Sequence, residues 1–218
     1  MSGAKKRTAI LISGRGSNMT AILKAARDPD YPAEIALVLA NNADAKGLET
    51  AAAEGIATAV VDHRPFKGDR KAFDAEIQKV LEDNTIELVV LAGFMRILTA
   101  GFVGKWTDRM LNIHPSLLPS FKGLHTHERA IETGCRLSGC TVHFVRADMD
   151  SGPIICQAAV PVIDGDDADS LAARILVAEH RIYPHALALV AGDRVSVDGM
   201  RVTIRHDEPV ADDAQLVN

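Results

Sequence analysis

An α/β fold built on a doubly wound, mostly parallel sheet is what the sequence predicts, and three observations predict it. In the first half of the chain, apolar runs of strand length alternate with segments of helical pattern, the rhythm that builds βαβ units. The runs lack polar alternation, as in Leu88-Val89-Val90-Leu91, which is expected of strands covered by helices on both faces. After residue 137 the connection between apolar runs shortens to an acidic turn, and a short connection suits antiparallel pairing.

The elements follow in order. Residues 9–13 form the first strand, and a helix opens near Ser17. Strand 35–40 leads to a helix over 46–54 that stops at Gly55, a residue suited to a left-handed C-cap. Strand 57–62, a helix from about 69 to 83, and strands 88–93 and 110–113 complete the parallel set. Residues 140–145 and 154–162 are two apolar strands joined by the turn 146–153. A helix runs from about Ser170 to Val190, with Asp166, Asp167 and Asp169 at its start, where the helix dipole favours negative charge. Residues 195–197 and 201–204, split by Asp198-Gly199, make a hairpin, and 209–218 reads as a frayed tail. No repeat, low-complexity stretch or linker divides the chain. One domain over 1–218 is therefore expected, with an N-terminal half of about 1–107 and a C-terminal half of about 108–208.

Composition narrows the classes. The 218 residues are 47% hydrophobic and 24% charged, ordinary globular usage that excludes a disordered or fibrous chain. The net charge of −5 and pI near 5.9 argue against a protein built to grip nucleic acid, whose affinity rests on Lys and Arg neutralising phosphates. The longest stretch free of Asp, Glu, Lys and Arg is 151–163, short of the roughly 20 apolar residues of a membrane span. The apolar run behind the basic start covers only 9–12, too little for a signal-peptide core. A cytoplasmic protein with no membrane or nucleic-acid partner is expected. Cys135, Cys140 and Cys156 form no C-x-x-C pair and read as reduced thiols.

Four motifs carry candidate chemistry. Ser13-Gly14-Arg15-Gly16-Ser17-Asn18 follows a strand and opens a helix, so its backbone N–H groups can cradle a phosphate. A dinucleotide fingerprint fails because position 19 is Met, and Asn41 and Asn42 stand where a ribose-binding acid belongs. No Gly-Lys-Ser/Thr makes a Walker loop. A tight turn with a Ser cap is the other reading of the same residues. Asn112-Ile113-His114-Pro115-Ser116 ends the fifth strand, and alternation puts Asn112 and His114 on one side. An amide donor beside an imidazole suits acyl transfer, through oxyanion stabilisation and proton movement. A strand-end pair bonded to nearby backbone fits them equally.

Asp148-Met149-Asp150-Ser151-Gly152-Pro153 reads by composition as a solvated turn. Gly123-Leu124-His125-Thr126-His127 contains an H-x-H pair without a third ligand at zinc spacing, so no metal is expected. Residues 164–167 lack the later Gly and Glu of a calcium loop and are assigned to helix capping. No G-x-S-x-G elbow supports a serine hydrolase.

Together these residues resemble the folate-dependent phosphoribosylglycinamide formyltransferase family over nearly the whole chain. The resemblance is carried by residues 11–18 (LISGRGSN), 89–98 (VVLAGFMRIL), 111–119 (LNIHPSLLP), 123–127 (GLHTH), 142–145 (VHFV) and 150–153 (DSGP). It implies a Rossmann-like formyltransferase fold and transfer of a formyl group from the co-substrate 10-formyltetrahydrofolate to 5'-phosphoribosylglycinamide in purine biosynthesis. It also implies small-molecule partners only, and leaves monomer and homodimer open. Asn112, His114 and Asp150 match the family's catalytic trio, with Asp148 a bystander. Gly16, Ser17 and Asn18 match its phosphate cradle. Met95, Arg96, Ile97 and Leu98 would line the pterin side of the folate pocket together with Asn112, Arg70 and Arg109 would lie near ligand anions, Glu179 would meet the ribose, and His143 would support the trio. One departure is Leu176, where a polar residue for the nucleotide is expected; Arg15 offers a compensating charge.

The mechanism so implied is direct attack of the amine on the formyl carbon. Asn112 and a protonated His114 would donate to the oxyanion, and Asp150 would support His114. A hydrolase releasing formate from the same folate, another folate-dependent formyltransferase, and a silent nucleotide or folate sensor are the alternatives.

Overall fold

A computed structural model describes residues 4–205; the tail expected at 209–218 lies outside the described residues. Strands β1 (Lys6–Ile12), β2 (Ala33–Ala40), β3 (Ala57–Val60), β4 (Leu88–Leu91), β5 (Met110–His114), β6 (Leu137–Phe144) and β7 (Ile154–Pro161) form one sheet in the order β3-β2-β1-β4-β5-β6-β7. The first five pair in parallel and the last two antiparallel, as the apolar runs predict. The sheet is continuous across the two halves of the chain. Among the described residues no helix is long and apolar enough to cross a membrane.

Helices cover both faces. On one side α1 (Ser17–Ala26), α2 (Gly47–Ala53) and the long α6 (Ala168–Ala191) pack over Ile10, Ile12, Val38, Val90, Leu111 and Val142. On the other, α3 (Arg70–Asp83) and α4 (Ala100–Lys105) pack over Ala9, Leu11, Leu37, Leu39, Val89 and Met110. Alternate residues of β1 thus enter opposite cores, which is why its run is apolar without a break. A hairpin of β8 (Val195–Asp198) and β9 (Arg201–Ile204) closes the described chain.

Local chemistry sets the boundaries. Asp69 caps α3 by accepting from Ala72 N. Asp167 caps α6 in a reciprocal box with Ser170, so α6 starts at Ala168, slightly before the expected Ser170. Gly55, at φ +75 after α2, takes the left-handed conformation expected of it. The third strand is shorter than predicted, ending at Val60, because Asp62 turns back to accept from Arg64 N at 2.9 Å. Two short helices, α4 and α5 (Thr126–Glu132), are additional to the sequence reading; at six and seven residues they are too short to show a period. The cysteines are free thiols; Cys140 is buried and burial pushes it up to about 12.

Candidate active site

Registers align the carboxyl ends of three strands: Leu11 of β1 pairs with Leu91 of β4, and Leu91 pairs with Asn112 of β5. Strand order reverses between β1 and β4, the switch point at which open parallel sheets leave a crevice for ligands. The loop after β1, the loop after β4 and the end of β5 therefore emerge side by side.

The loop after β1 is a turn built for close approach. Gly16 adopts φ +69, and α1 begins at Ser17 with no side-chain cap, which removes the Ser-cap reading and leaves its first N–H groups open to an anion. Asn18 Nδ2 donates to Glu179 Oε2 of α6 at 2.7 Å, in a buried contact. Burial raises the Glu179 carboxyl above the ordinary range, and the Asn18 bond opposes it. Asn18 Oδ1 is buried with no partner among the described residues. Helix α6 is held to the sheet one turn later, where Tyr183 donates to Leu91 O and Leu111 O at 2.9 and 3.1 Å. Leu176, on the same helix, is half-buried.

Asn112 and His114 stand on β5, and Asp150, which only the resemblance singled out, comes to His114 from the loop after β6. His114 is 5% exposed; its Nε2 lies 3.0 Å from Phe121 O, a contact in which Nε2–H donates, since a carbonyl only accepts. His114 Nδ1 lies 3.4 Å from Asp150 Oδ2, and the same oxygen accepts from Gly123 N at 2.9 Å. Asp150 is thus brought to the imidazole, whereas Asp148 is exposed. The loop is forced into place from below: a Cβ on Gly152 would stand 1.7 Å from Phe144 O, so only glycine lets the backbone pass. Asp150 itself takes φ +50, a conformation held by its contacts.

Asn112 and His143 face each other across the β5–β6 register. His143 Nδ1–H donates to Phe144 O at 3.0 Å, leaving Nε2 to accept from Asn112 Nδ2 at 3.3 Å. Burial holds this imidazole below the ordinary histidine value, so it is an acceptor for the amide. The second Nδ2–H of the half-buried Asn112 stays available to a ligand oxygen.

The loop after β4 walls a cavity of about 380 Å³. Met95, Arg96 and Ile97 line it together with Arg70, Phe73 and His63. Leu98, next along the loop, is partly buried against the cluster containing Phe102 and Trp106. Arg109 lies just before β5. Its guanidinium lies 4.9 Å from the Trp106 ring centroid, donates to Lys105 O at 2.6 Å, and lines a separate cavity with Lys6, Glu87 and Asp193.

In the H-x-H segment, His125 Nδ1 lies 3.4 Å from Glu128 Oε1, and His127 is lowered mainly by burial. Among the described residues no three His, Cys, Asp or Glu side chains gather as a metal ion would require. Two contributors escaped the sequence reading. One is the Phe121 carbonyl, a backbone group with no sequence signal. The other is the Ser13 hydroxyl, which accepts from Met95 N at 2.7 Å and ties the two loops together.

The family model described as formyl transferase matches residues 6–187. Phosphoribosylglycinamide formyltransferase of Escherichia coli (strain K12) is 45% identical over 188 residues, 86% of this chain and 88% of that protein. The trifunctional purine biosynthetic protein adenosine-3 of Homo sapiens is 52% identical over 193 residues, 88% of this chain; the chain spans only 19% of that relative's length. The crystal structure of glycinamide ribonucleotide transformylase 1 from Symbiobacterium toebii superposes with a TM-score of 0.89 at 46% identity, covering 93% of this chain and 95% of that one.

Proposed function

The chain belongs to the formyl transferase family, and from that premise we propose that it transfers the formyl group of 10-formyltetrahydrofolate to the amine of 5'-phosphoribosylglycinamide. The observation that carries the reading is the pairing of His114 with Asp150, two residues along β5 from Asn112, on a strand that neighbours β4 and, through it, the β1 that leads into the open glycine turn. Relatives that share this activity in name match along most of their own length.

The residues fit both substrates. Met95 and Ile97 are 72% and 66% exposed beside the guanidinium groups of Arg70 and Arg96, an apolar wall with cationic ends that suits a flat ring system carrying a carboxylate. The N–H groups at Gly16, Ser17 and Asn18 suit a phosphate monoester, with Glu179 one hydrogen bond away for the ribose.

In the reaction a C–N bond forms between the substrate amine and the formyl carbon, and the bond from that carbon to N10 breaks. The oxygen gains charge as the carbon becomes tetrahedral. Asn112 donates its second N–H there, an interaction stronger in the transition state than in the ground state. His114 and Asp150 handle the proton that leaves the amine and the proton that N10 gains, with Nδ1 facing the carboxylate. His143 orients the Asn112 amide. Holding both reactants in one crevice removes a further several kcal/mol of barrier.

The test is to incubate purified protein with 10-formyltetrahydrofolate, with and without 5'-phosphoribosylglycinamide, and follow loss of the formyl group by absorbance. Turnover that requires the ribonucleotide is expected. Turnover without it would identify a hydrolase, and none under either condition a binding module.

A further inference from the structure

Asp74 lies in the middle of α3 and is 3% exposed, yet no step of the reaction uses it. Its Oδ2 accepts from Thr99 N at 2.7 Å, and its Oδ1 is buried with no hydrogen-bond partner among the described residues. A carboxylate in that setting is costly, and an apolar residue would pack there without the cost. A carboxylate buried against its own desolvation calls for a reason beyond packing.

Its place in the fold supplies one. Arg70 and Phe73, the first turn of α3, form one wall of the cavity, and Met95, Arg96 and Ile97 form the other. The second wall is a loop without regular structure, from 92 to 99, so its position depends on its ties. At its start Met95 N donates to Ser13 Oγ. At its end the Thr99 N–H goes to Asp74, while the Thr99 hydroxyl accepts from Phe102 N and caps α4. One turn further along α3, Gln78 Oε1 accepts from Trp106 Nε1 at 2.9 Å. Helix α3 thus grips the far end of the loop at Thr99 and the helix behind it at Trp106. Only the first grip is charged, and charge-assisted bonds are the stronger kind.

We propose that Asp74 is a positioning residue for folate: its bond to Thr99 N sets the distance between the two walls of the cavity and so the affinity for the pterin co-substrate, leaving the ribonucleotide side untouched. The inference rests on the reading of this cavity as the folate site. The Ser13 tie belongs to the glycine turn, and the Asp74 tie belongs to the cavity, so loss of the second separates the two substrates.

The experiment is calorimetric titration of the full chain with tetrahydrofolate, the unreactive product, and separately with 5'-phosphoribosylglycinamide. Asp74→Ala is expected to weaken tetrahydrofolate binding about tenfold and to leave ribonucleotide binding within about twofold. Asp74→Asn, whose amide oxygen can still accept from Thr99 N, should restore most of the affinity. Should Asp74→Ala fail to fold, Thr99→Pro removes the N–H at a backbone φ of −74 that the ring accepts and should give the same loss. Thr99→Ala, which keeps the N–H and drops only the hydroxyl, should not. An unchanged tetrahydrofolate affinity in the Asp74→Ala or Thr99→Pro chain, or an equal loss for both ligands, overturns the proposal. Failure of the wild-type chain to bind tetrahydrofolate at all would overturn the folate reading of the cavity, and this inference with it.

Discussion

Ser13 Oγ accepts the main-chain N–H of Met95 at 2.7 Å, and Ser13 N–H donates back to Gly93 O at 3.1 Å. Two loops separated by 82 positions in the chain are therefore one hydrogen-bonded unit. It sits between β1 and β4, where the strand order reverses. Asn42 Nδ2 adds a donor to Ser13 O at 3.0 Å, so the turn is held from both sides. The near part of the loop that walls the cavity is thus tied to the turn that presents N–H groups to an anion, while its far end is held by Asp74.

Replacing Ser13 by Ala breaks this unit while leaving the glycines intact. Both KM values are expected to rise, each by about three- to tenfold, the scale of one lost hydrogen bond. Steady-state kinetics with each substrate varied in turn checks this, and a rise confined to one substrate would show that the loops act separately.

Asn112→Ala removes the amide donor aimed at the developing oxyanion. A fall in kcat of about two orders of magnitude, with little change in either KM, is expected from such a loss. A near-normal kcat in that variant would take Asn112 out of the chemistry.

Gly152→Ala tests how Asp150 is held. The added methyl would stand 1.7 Å from Phe144 O, so the backbone of the loop must shift and carry Asp150 away from His114. A loss of about 1–3 kcal/mol in stability and a fall in kcat are expected together, read by denaturant unfolding and by turnover. An active, fully stable variant would mean that the loop has slack that its packing denies.

Acid should weaken the fold before it protonates the carboxylates. His127, His143 and His180 are all held below the ordinary histidine value, in each case chiefly by burial. As pH falls below about 6.5, the unfolded chain takes up protons on these residues before the folded one does. Their contribution is therefore complete above about pH 6.5 and is lost as pH falls through their depressed folded values. Glu179, raised by burial, works in the opposite sense: its contribution is present below its unfolded value and lost as pH rises through its folded one. The three histidines act together in this range, and Glu179 alone opposes them. The urea midpoint is expected to be lower at about pH 5.5 than at about pH 7.5, and an equal or higher midpoint would contradict this.

Much of the molecule could be read from local pattern. The unbroken apolar runs marked the strands of a sheet covered on both faces, and the shortened connection after residue 137 marked the antiparallel pair. The glycine turn before Ser17 and the side shared by Asn112 and His114 are also local facts, since each spans a few residues of one element. Resemblance to a family then separated Asp150 from Asp148, which composition alone left as one solvated turn.

What only the tertiary structure decided lies in contacts between residues far apart in sequence. His114 Nε2–H is committed to the carbonyl of Phe121, His143 is the acceptor that orients Asn112, and Asp74 holds Thr99. The contacts of Arg109 with Trp106 and of Leu98 with the core are likewise set by the fold. The physical reason is the same in each case. A strand or helix repeats its environment every two or 3.6 residues, so its sequence shows which face is buried. A loop has no such period, and the direction of its side chains and carbonyls is set by whatever the rest of the fold packs against it.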